Sequence, residues 1–467
     1  MKKILQVMGI LALGVLVFWA GSQVQARGRS DRAGKNSITV VQTKIVLDSY
    51  EFGPAVSKIV LETDKPLSEA VLNSETAVAT AGIARQINDV YLSDAQGNRL
   101  DRYTKSNHVA LELAVDYNTE DPAQSASPFT FDLSTYRNYW VDSYVVKVSG
   151  LGLKRSGSGK LQLVSSEQEA IENRLTPSAD RFSDRGTSSL PYAAYQPESA
   201  AAGEKNPLIV WLHGIGEAGT DLNFPLLSNK VAALTQEEIQ SQFTSSGSGE
   251  QTGAYVLVPQ APTAWNEQYG EALIETIDAY LANNPDIDSD RIYLAGASNG
   301  GAMTLEMGIH YPDYFAALVP IAAPYSYQTA SDNDDKPYSL DEETLSALKD
   351  QPMWLIHSQA DTTIPASESA LPFYKAMIDA GFENKWISYY ESALGTDLPG
   401  QVYNGHWAWI YFFNNQVTGV QSRENIGSMS GLSGLVATNP TRGGASKATV
   451  DGIEYSNIFD WLNAQKK

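Results

Sequence analysis

The feature that most constrains this chain is six residues long. Gly296-Ala297-Ser298-Asn299-Gly300-Gly301 fits the pattern G-x-S-x-G with one further glycine behind it. The pattern alone is weak, because small residues recur by chance in a chain with 36 glycines. Its flanks give it weight. Arg291 to Ala295 is a short apolar run of the kind that forms a buried strand, and Asn299 to His310 carries helical spacing. Together they predict a strand–turn–helix with a serine exposed at a strained turn, and glycines where strand and helix pass too close for side chains. A serine hydroxyl is a poor nucleophile until a histidine takes its proton. The rest of the chain is therefore read for that base and for the carboxylate that orients it.

There are five histidines, few enough to weigh singly. His108 lies in an alternating strand pattern far upstream, His213 precedes the serine, and His310 ends the helix behind it. His357 closes a strand upstream of the best acid. Around such a turn the partners follow in the order serine, acid, histidine. Only His406, in the loop Tyr403-Asn404-Gly405-His406, comes after both. The acid assigned is Asp361, directly after the strand Met353 to His357, where a carboxylate can reach the imidazole and fix its tautomer. Asp397, nearer to His406 in sequence, is its rival.

Acyl transfer also needs donors for a developing oxyanion. The backbone N–H of Asn299 is one. Gly214 or Ile215 supplies the second, from the loop His213-Gly214-Ile215-Gly216-Glu217 at the end of an early strand. Trp265, following Val258-Pro259-Gln260-Ala261-Pro262, is a candidate for the wall of the substrate pocket, as are Trp407 and Trp409 beside the base. Packing is the competing reading for all three.

The elements around the serine define a fold class. Apolar runs at Leu208–Leu212, Ala254–Val258, Arg291–Ala295, Leu318–Ala322, Met353–His357 and Lys385–Tyr390 read as strands. Helical stretches at Glu271–Leu281, Asn299–His310 and Glu368–Ala380 fall between them. Buried strands alternating with helices mean an α/β domain with a mostly parallel sheet, here bounded at residues 175–467. Upstream, residues 37–165 have period two, with strands at Ile38–Val41, Ser57–Leu61, His108–Leu113 and Ser143–Val148. That pattern suggests a small immunoglobulin-like β-sandwich, with Trp140 a candidate core aromatic. The polar stretch from Glu167 to Gly186 reads as a linker.

Lys2 and Lys3, the apolar run Ile4–Ala20 and the small residues of Val24-Gln25-Ala26 make residues 1–26 a signal peptide cleaved after Ala26, and so a secreted protein with no membrane partner once the leader is gone. An uncleaved anchor is the competing reading, since the run nears membrane-spanning length. The absence of cysteine excludes disulfides, a thiol nucleophile, thiolate zinc sites and a lipidated cysteine. With 54 acidic against 33 basic residues, the net charge of −21 argues against nucleic acid or anionic lipid as partner. Asp332, Asp334, Asp335, Asp341, Glu342 and Glu343 invite a calcium reading, but the spacing lacks the glycine that a helix–loop–helix site needs. Ser339-Leu340-Asp341-Glu342 reads better as a capping box for a helix through Lys349. Neither a metal nor an organic cofactor is expected.

From about Arg181 to Lys467 the chain resembles secreted α/β-hydrolase esterases of the polyhydroxybutyrate-depolymerase-like and predicted-peptidase group, related to acetylxylan and feruloyl esterases. The residues that carry the likeness are His213 to Glu217, Val258-Pro259-Gln260, Gly296 to Gly301, Asp361 and Gly405-His406-Trp407. Glu51-Phe52-Gly53-Pro54-Ala55-Val56 and Asn138-Tyr139-Trp140-Val141-Asp142 resemble the immunoglobulin-like domain found ahead of such esterases. Two departures stand out. Ile215 occupies a position that lipase-type relatives fill with glycine, and a Gly- and Ser-rich stretch from Ser422 to Ala448 follows the base. The resemblance implies a serine carboxylesterase acting on a small-molecule or polymer ester, without cofactor. A serine peptidase with the same triad is the alternative. A binding module built on a dead hydrolase would lack a triad member, and none is missing.

Overall fold

The structure, a computed structural model, describes residues 38–118, 127–155, 160–198, 200, 203–246, 249, 252–327, 339–424, 434–438 and 442–467. The leader at residues 1–26 and the acidic residues Asp332, Asp334 and Asp335 lie outside the described residues. Among those described, no helix is long and apolar enough to cross a membrane.

The alternating N-terminal pattern folds into two five-stranded sheets. The first contains β1 (Val40–Tyr50), β2 (Gly53–Leu67), β6 (Ile87–Ser93) and β7 (Ser106–Leu113); the second contains β3 (Glu69–Val71), β4 (Ala77–Thr80), β5 (Ile83–Arg85), β10 (Val145–Lys154) and β11 (Lys160–Glu169). Period two puts every second side chain inward, so Ile59 and Leu61 from β2, Leu111 from β7, and Val146 and Val148 from β10 share one core. A separate hairpin, β8 (Phe129–Asp132) with β9 (Arg137–Trp140), belongs to neither sheet. Trp140 sits on it at the seam between domains, packed against both cores rather than at the centre of the sandwich.

The polar stretch from Glu167 to Gly186 is structured. Strand β11 runs on to Glu169, and β12 (Arg174–Leu175) pairs parallel with β1 and completes the first sheet. The chain then enters α1 (Pro177–Asp180) and an eight-stranded sheet. Its members are β13 (Asp184–Thr187), β14 (Pro191–Tyr195), β15 (Asn206–Leu212), β16 (Tyr255–Pro259), β17 (Ile287–Ala297), β18 (Ala317–Ile321), β21 (Met353–Ser358) and β22 (Lys385–Tyr390), in the order β13-β14-β16-β15-β17-β18-β21-β22. A two-residue parallel pair, β19 (Ser326–Tyr327) and β20 (Ser339–Leu340), falls outside it. The six strands from β16 to β22 are parallel, and β13 and β14 add an antiparallel edge.

Every residue of β15, β16, β18, β21 and β22 is buried, as a sheet covered on both faces requires. Alternate side chains go to opposite cores: Ile209, Trp211, Tyr293 and Ala295 to one face, Leu208, Val210, Ile292 and Leu294 to the other. After the short helices α2 (Asn223–Leu227) and α3 (Glu237–Gln240), helices α4 (Gly270–Asn283), α5 (Asn299–His310) and α7 (Ala370–Asp379) lie where helical spacing places them. The stretch expected as one helix over Glu368–Ala380 breaks at Ser369, whose φ of −133° separates a 3-10 turn from α7. The capping box before α6 (Glu342–Ala347) is formed by Asp341 and Thr344, not by Ser339 and Glu342. A carboxylate at Asp341 accepts the Thr344 N–H at 2.8 Å, which places the cap two residues later. Parts of the Gly- and Ser-rich stretch run along β22, where Tyr389 and Glu391 donate backbone hydrogen bonds to Gly443 and Thr438. The remainder of that stretch lies outside the described residues.

Candidate active site

The serine turn has the expected form. Ser298 joins β17 to α5 with φ 53° and ψ −117°, a left-handed conformation that costs a non-glycine residue about 1–3 kcal/mol. The turn is pinned by the Ser298 N–H, which donates to Ile321 O at 2.8 Å. Glycine is obligatory behind it, because a Cβ on Gly300 would stand 2.1 Å from the carbonyl oxygen of Leu212. Helix α5 and strand β15 approach to backbone contact there, and that brings the oxyanion loop beside the serine.

His406 meets both partners from the loop before α8 (Trp409–Phe413). Its Nε2 is 2.9 Å from Ser298 Oγ and its Nδ1 2.8 Å from Asp361 Oδ2. Asp361 is buried just past the end of β21, and its Oδ1 accepts the N–H groups of Thr363 and Ile364 at 2.9 and 2.8 Å. Burial pushes this carboxyl up, but hydrogen bonds from His357 and His406 outweigh it and hold Asp361 well below the usual carboxylate range. The two loops touch at Gly405, where a Cβ would lie 2.2 Å from the carbonyl of Ala360. The edge of Trp409 packs on the His406 ring at a centroid distance of 5.3 Å.

The oxyanion loop is a 3-10 turn over Ile215–Glu217 with Gly214 at its N-cap. Such a turn leaves its first N–H groups without internal partners, and Asn299 is likewise the first residue of α5. Three braces hold the loop. Ala261 N–H donates to His213 Nε2 at 3.0 Å, so the proton sits on Nδ1, which donates to Gly214 O at 2.6 Å. Burial lowers His213 to about 4, which keeps this tautomer neutral at pH 7. The Trp265 indole donates to His213 O, and the Asn299 amide clasps the Trp265 backbone through both its N–H and its carbonyl, at 2.7 and 3.0 Å. Trp265 is 1 % exposed, so it ties the end of β15 to the start of α5 and offers no open face to a substrate.

Glu217 is the third brace. Burial pushes its carboxyl up to about 7, against hydrogen bonds from its own N–H, from Gly214 N–H and from Asn138 and Asn229. Gly214 and Ile215, the two candidate donors, both lie on the loop that Glu217 braces. Asn138 comes from β9, in the N-terminal domain, and its Nδ2 donates to Glu217 Oε1 at 3.0 Å. The same hairpin sends the Trp140 indole to Asp221 at 2.8 Å and the Arg137 guanidinium to the carbonyls of Ala218 and Pro262.

Asp397 is committed elsewhere, to Lys230 and to the Glu51 N–H. Trp407 is half-buried against Tyr117 and Tyr403. His108 faces Glu62 across neighbouring strands, and His310 pairs with Glu306 one turn back on α5. Among the described residues, no group of three or more His, Asp or Glu is placed to hold a metal ion. In the sequence Asn138 and Glu217 carry no role, and His357 is set aside as the base because it precedes the acid. For Asn138 no local signal exists, since its partner is 79 positions away. Glu217 and His357 lie beside assigned residues and were visible as neighbours without a role.

Comparison with known proteins agrees with this architecture. Residues 42–160 match the model of the esterase Ig-like N-terminal domain, and residues 185–398 match that of the putative esterase family. A search of curated proteins returns no match. Among solved structures the chain is similar to a thermostable esterase, with TM-score 0.61 and 22 % identity over 81 % of this chain and 97 % of that one. A Pyrococcus horikoshii acylaminoacyl peptidase aligns with TM-score 0.36 and 19 % identity, over 58 % of this chain and 46 % of that one. The class is thus an esterase: an α/β-hydrolase-type domain that acts on esters, preceded by an esterase-type Ig-like domain.

Proposed function

We propose that this chain is a secreted serine carboxylesterase that works through an acyl-enzyme. The observation that carries the reading is the unbroken hydrogen-bonded chain from Ser298 Oγ through His406 to Asp361, at 2.9 and 2.8 Å. Ser298 Oγ attacks the ester carbonyl as His406 Nε2 takes its proton, and Asp361 holds the Nδ1–H and stabilises the imidazolium. The carbonyl oxygen gathers negative charge opposite the N–H groups of Asn299 and of Gly214 or Ile215. The tetrahedral species collapses, His406 passes the proton to the departing alkoxide, and an alcohol leaves. Water then repeats the sequence on the acyl-serine, with His406 as base and then as acid, and frees the carboxylic acid. Every proton is carried by this chain's own groups, so the route calls for no cofactor.

Ester cleavage is favoured over peptide cleavage because the catalytic domain matches an esterase family. Ser298→Ala is expected to reduce p-nitrophenyl acetate hydrolysis by about 10⁴-fold or more without unfolding the protein. Retained turnover in a folded S298A protein would sink the mechanism. Wild-type turnover of a short acyl ester should exceed that of a matched peptide anilide, and the reverse order would move the assignment to a peptidase.

A further inference from the structure

His357 is the buried titratable group that the reaction above leaves unused. It lies one residue from the end of β21, and its side chain has no solvent exposure. Its Nε2 stands 2.8 Å from Ile364 O and 3.2 Å from Asp361 Oδ2. Both neighbours are acceptors, so Nε2 carries the proton; its hydrogen bond goes to Ile364 O, and Asp361 Oδ2 lies against the flank of the same N–H. Its Nδ1 is buried with no partner among the described residues, so a second proton there would be an unpaired donor in the interior. The ring is therefore held as a donor at Nε2 with a bare Nδ1.

The oxygen it faces is the one His406 uses. Asp361 Oδ2 lies between two imidazoles, His406 Nδ1 at 2.8 Å and His357 Nε2 at 3.2 Å, while Oδ1 is occupied by two backbone N–H groups. These two histidines are the titratable side chains set against Asp361, and across the sheet His357 is in register with Tyr389 on β22. A carboxylate oxygen that already accepts one donor has less charge to offer a second.

We propose that His357 is a positioning residue for the hydrolytic reaction: a fixed second imidazole that holds the Asp361 carboxylate and draws off part of its charge, and so limits how strongly Asp361 favours the imidazolium of His406. The inference rests on the assignment of Ser298, His406 and Asp361 made above. Its consequence concerns the pH at which the base becomes free. With the Nε2 donor gone, Asp361 favours the imidazolium more strongly, and a higher pH is needed to release His406.

The test is the pH profile of kcat/KM for p-nitrophenyl acetate in wild type, His357→Leu and His357→Gln. In H357L the acid limb moves to higher pH by roughly half a unit or more, and kcat falls roughly tenfold with KM little changed. H357Q, whose amide nitrogen can occupy the place of Nε2, returns the limb towards wild type. An acid limb unmoved in folded H357L, or H357Q no better than H357L, overturns the proposal. If H357L does not fold, the wild-type ¹⁵N spectrum of the imidazoles decides. It should show His357 protonated at Nε2 and bare at Nδ1, and the opposite tautomer overturns the proposal. Activity retained in S298A would instead remove the triad, and the two failures are therefore distinguishable.

Discussion

Gly405 is where one added carbon does most harm. The backbones of the His406 loop and the Asp361 turn pass so closely there that a methyl group would enter the Ala360 carbonyl. Backbone cannot swing aside as a side chain does, so the loop carrying the base must retreat from the acid. Gly405→Ala is expected to cost roughly 1–3 kcal/mol of stability. It should also lower kcat/KM for p-nitrophenyl acetate about a hundredfold, because a 1 Å misplacement suffices for that. Thermal melts and steady-state kinetics on one preparation check both, and a G405A protein equal to wild type would show that the loops do not meet there. Ser298 illustrates the same economy at the residue scale. Its strained φ is tolerated because Gly300 lets α5 and β15 close around it.

At the scale of elements, the informative pair is the β8–β9 hairpin and the oxyanion loop. The hairpin supplies Asn138 to the buried Glu217, and Glu217 in turn engages the loop backbone at Gly214. A carboxyl raised from 4.5 to about 7 by burial binds its proton more tightly in the folded state than in the unfolded chain. Its effect on stability therefore falls as pH rises from about 4.5 to about 7 and is level above that. Glu217→Gln keeps an acceptor for Asn138 and removes the titration. Chemical unfolding at pH 5 and pH 8 should show wild type losing roughly 2–3 kcal/mol relative to E217Q between the two. Parallel losses in both proteins would mean that Glu217 does not titrate in this window. The hairpin also explains Trp140. A candidate core aromatic of the sandwich, it packs at the margin of that core and also stacks beside Phe224 and bonds Asp221 in the next domain.

For the whole molecule, the seam between the domains runs alongside the catalytic groups. Glu51, at the tip between β1 and β2, is fully buried and accepts from Thr396 N and Oγ1 and from the Asn414 amide, with Lys230 at 4.0 Å. A buried charge is tolerated only with such pairing. Next to it Phe52 stacks on Tyr117 at 4.6 Å, and Tyr117 and Tyr403 pack on Trp407, the neighbour of the base. The N-terminal domain thus touches both the histidine loop and the oxyanion loop. Export is proposed at this scale as well. Intact-mass measurement of the exported protein should give a chain beginning at Arg27, and a full-length chain retained in the membrane fraction would argue for an anchor.

Much of this was legible in the residues. Period two and buried apolar runs announce the strands, because the alternation of side chains across a sheet is a local property. Gly296 to Gly301 announces the turn, and the chain order of serine, acid and histidine singles out His406 from five histidines. What local patterns could not carry is which distant groups share a bond. Asn138 meets Glu217 across 79 positions, and Glu51 meets Asn414 across 363. The polar stretch read as a linker became a strand only because β1 offered an open edge to Arg174 and Leu175. The sequence by itself determined the elements and the order of the reacting groups, because both follow from backbone sterics and local periodicity. Only the tertiary structure decided that Asp397 is spent on Lys230, that Trp265 is a brace, and that a second histidine shares the oxygen of Asp361. Those outcomes depend on burial and on hydrogen-bond partners that the folded chain alone brings together.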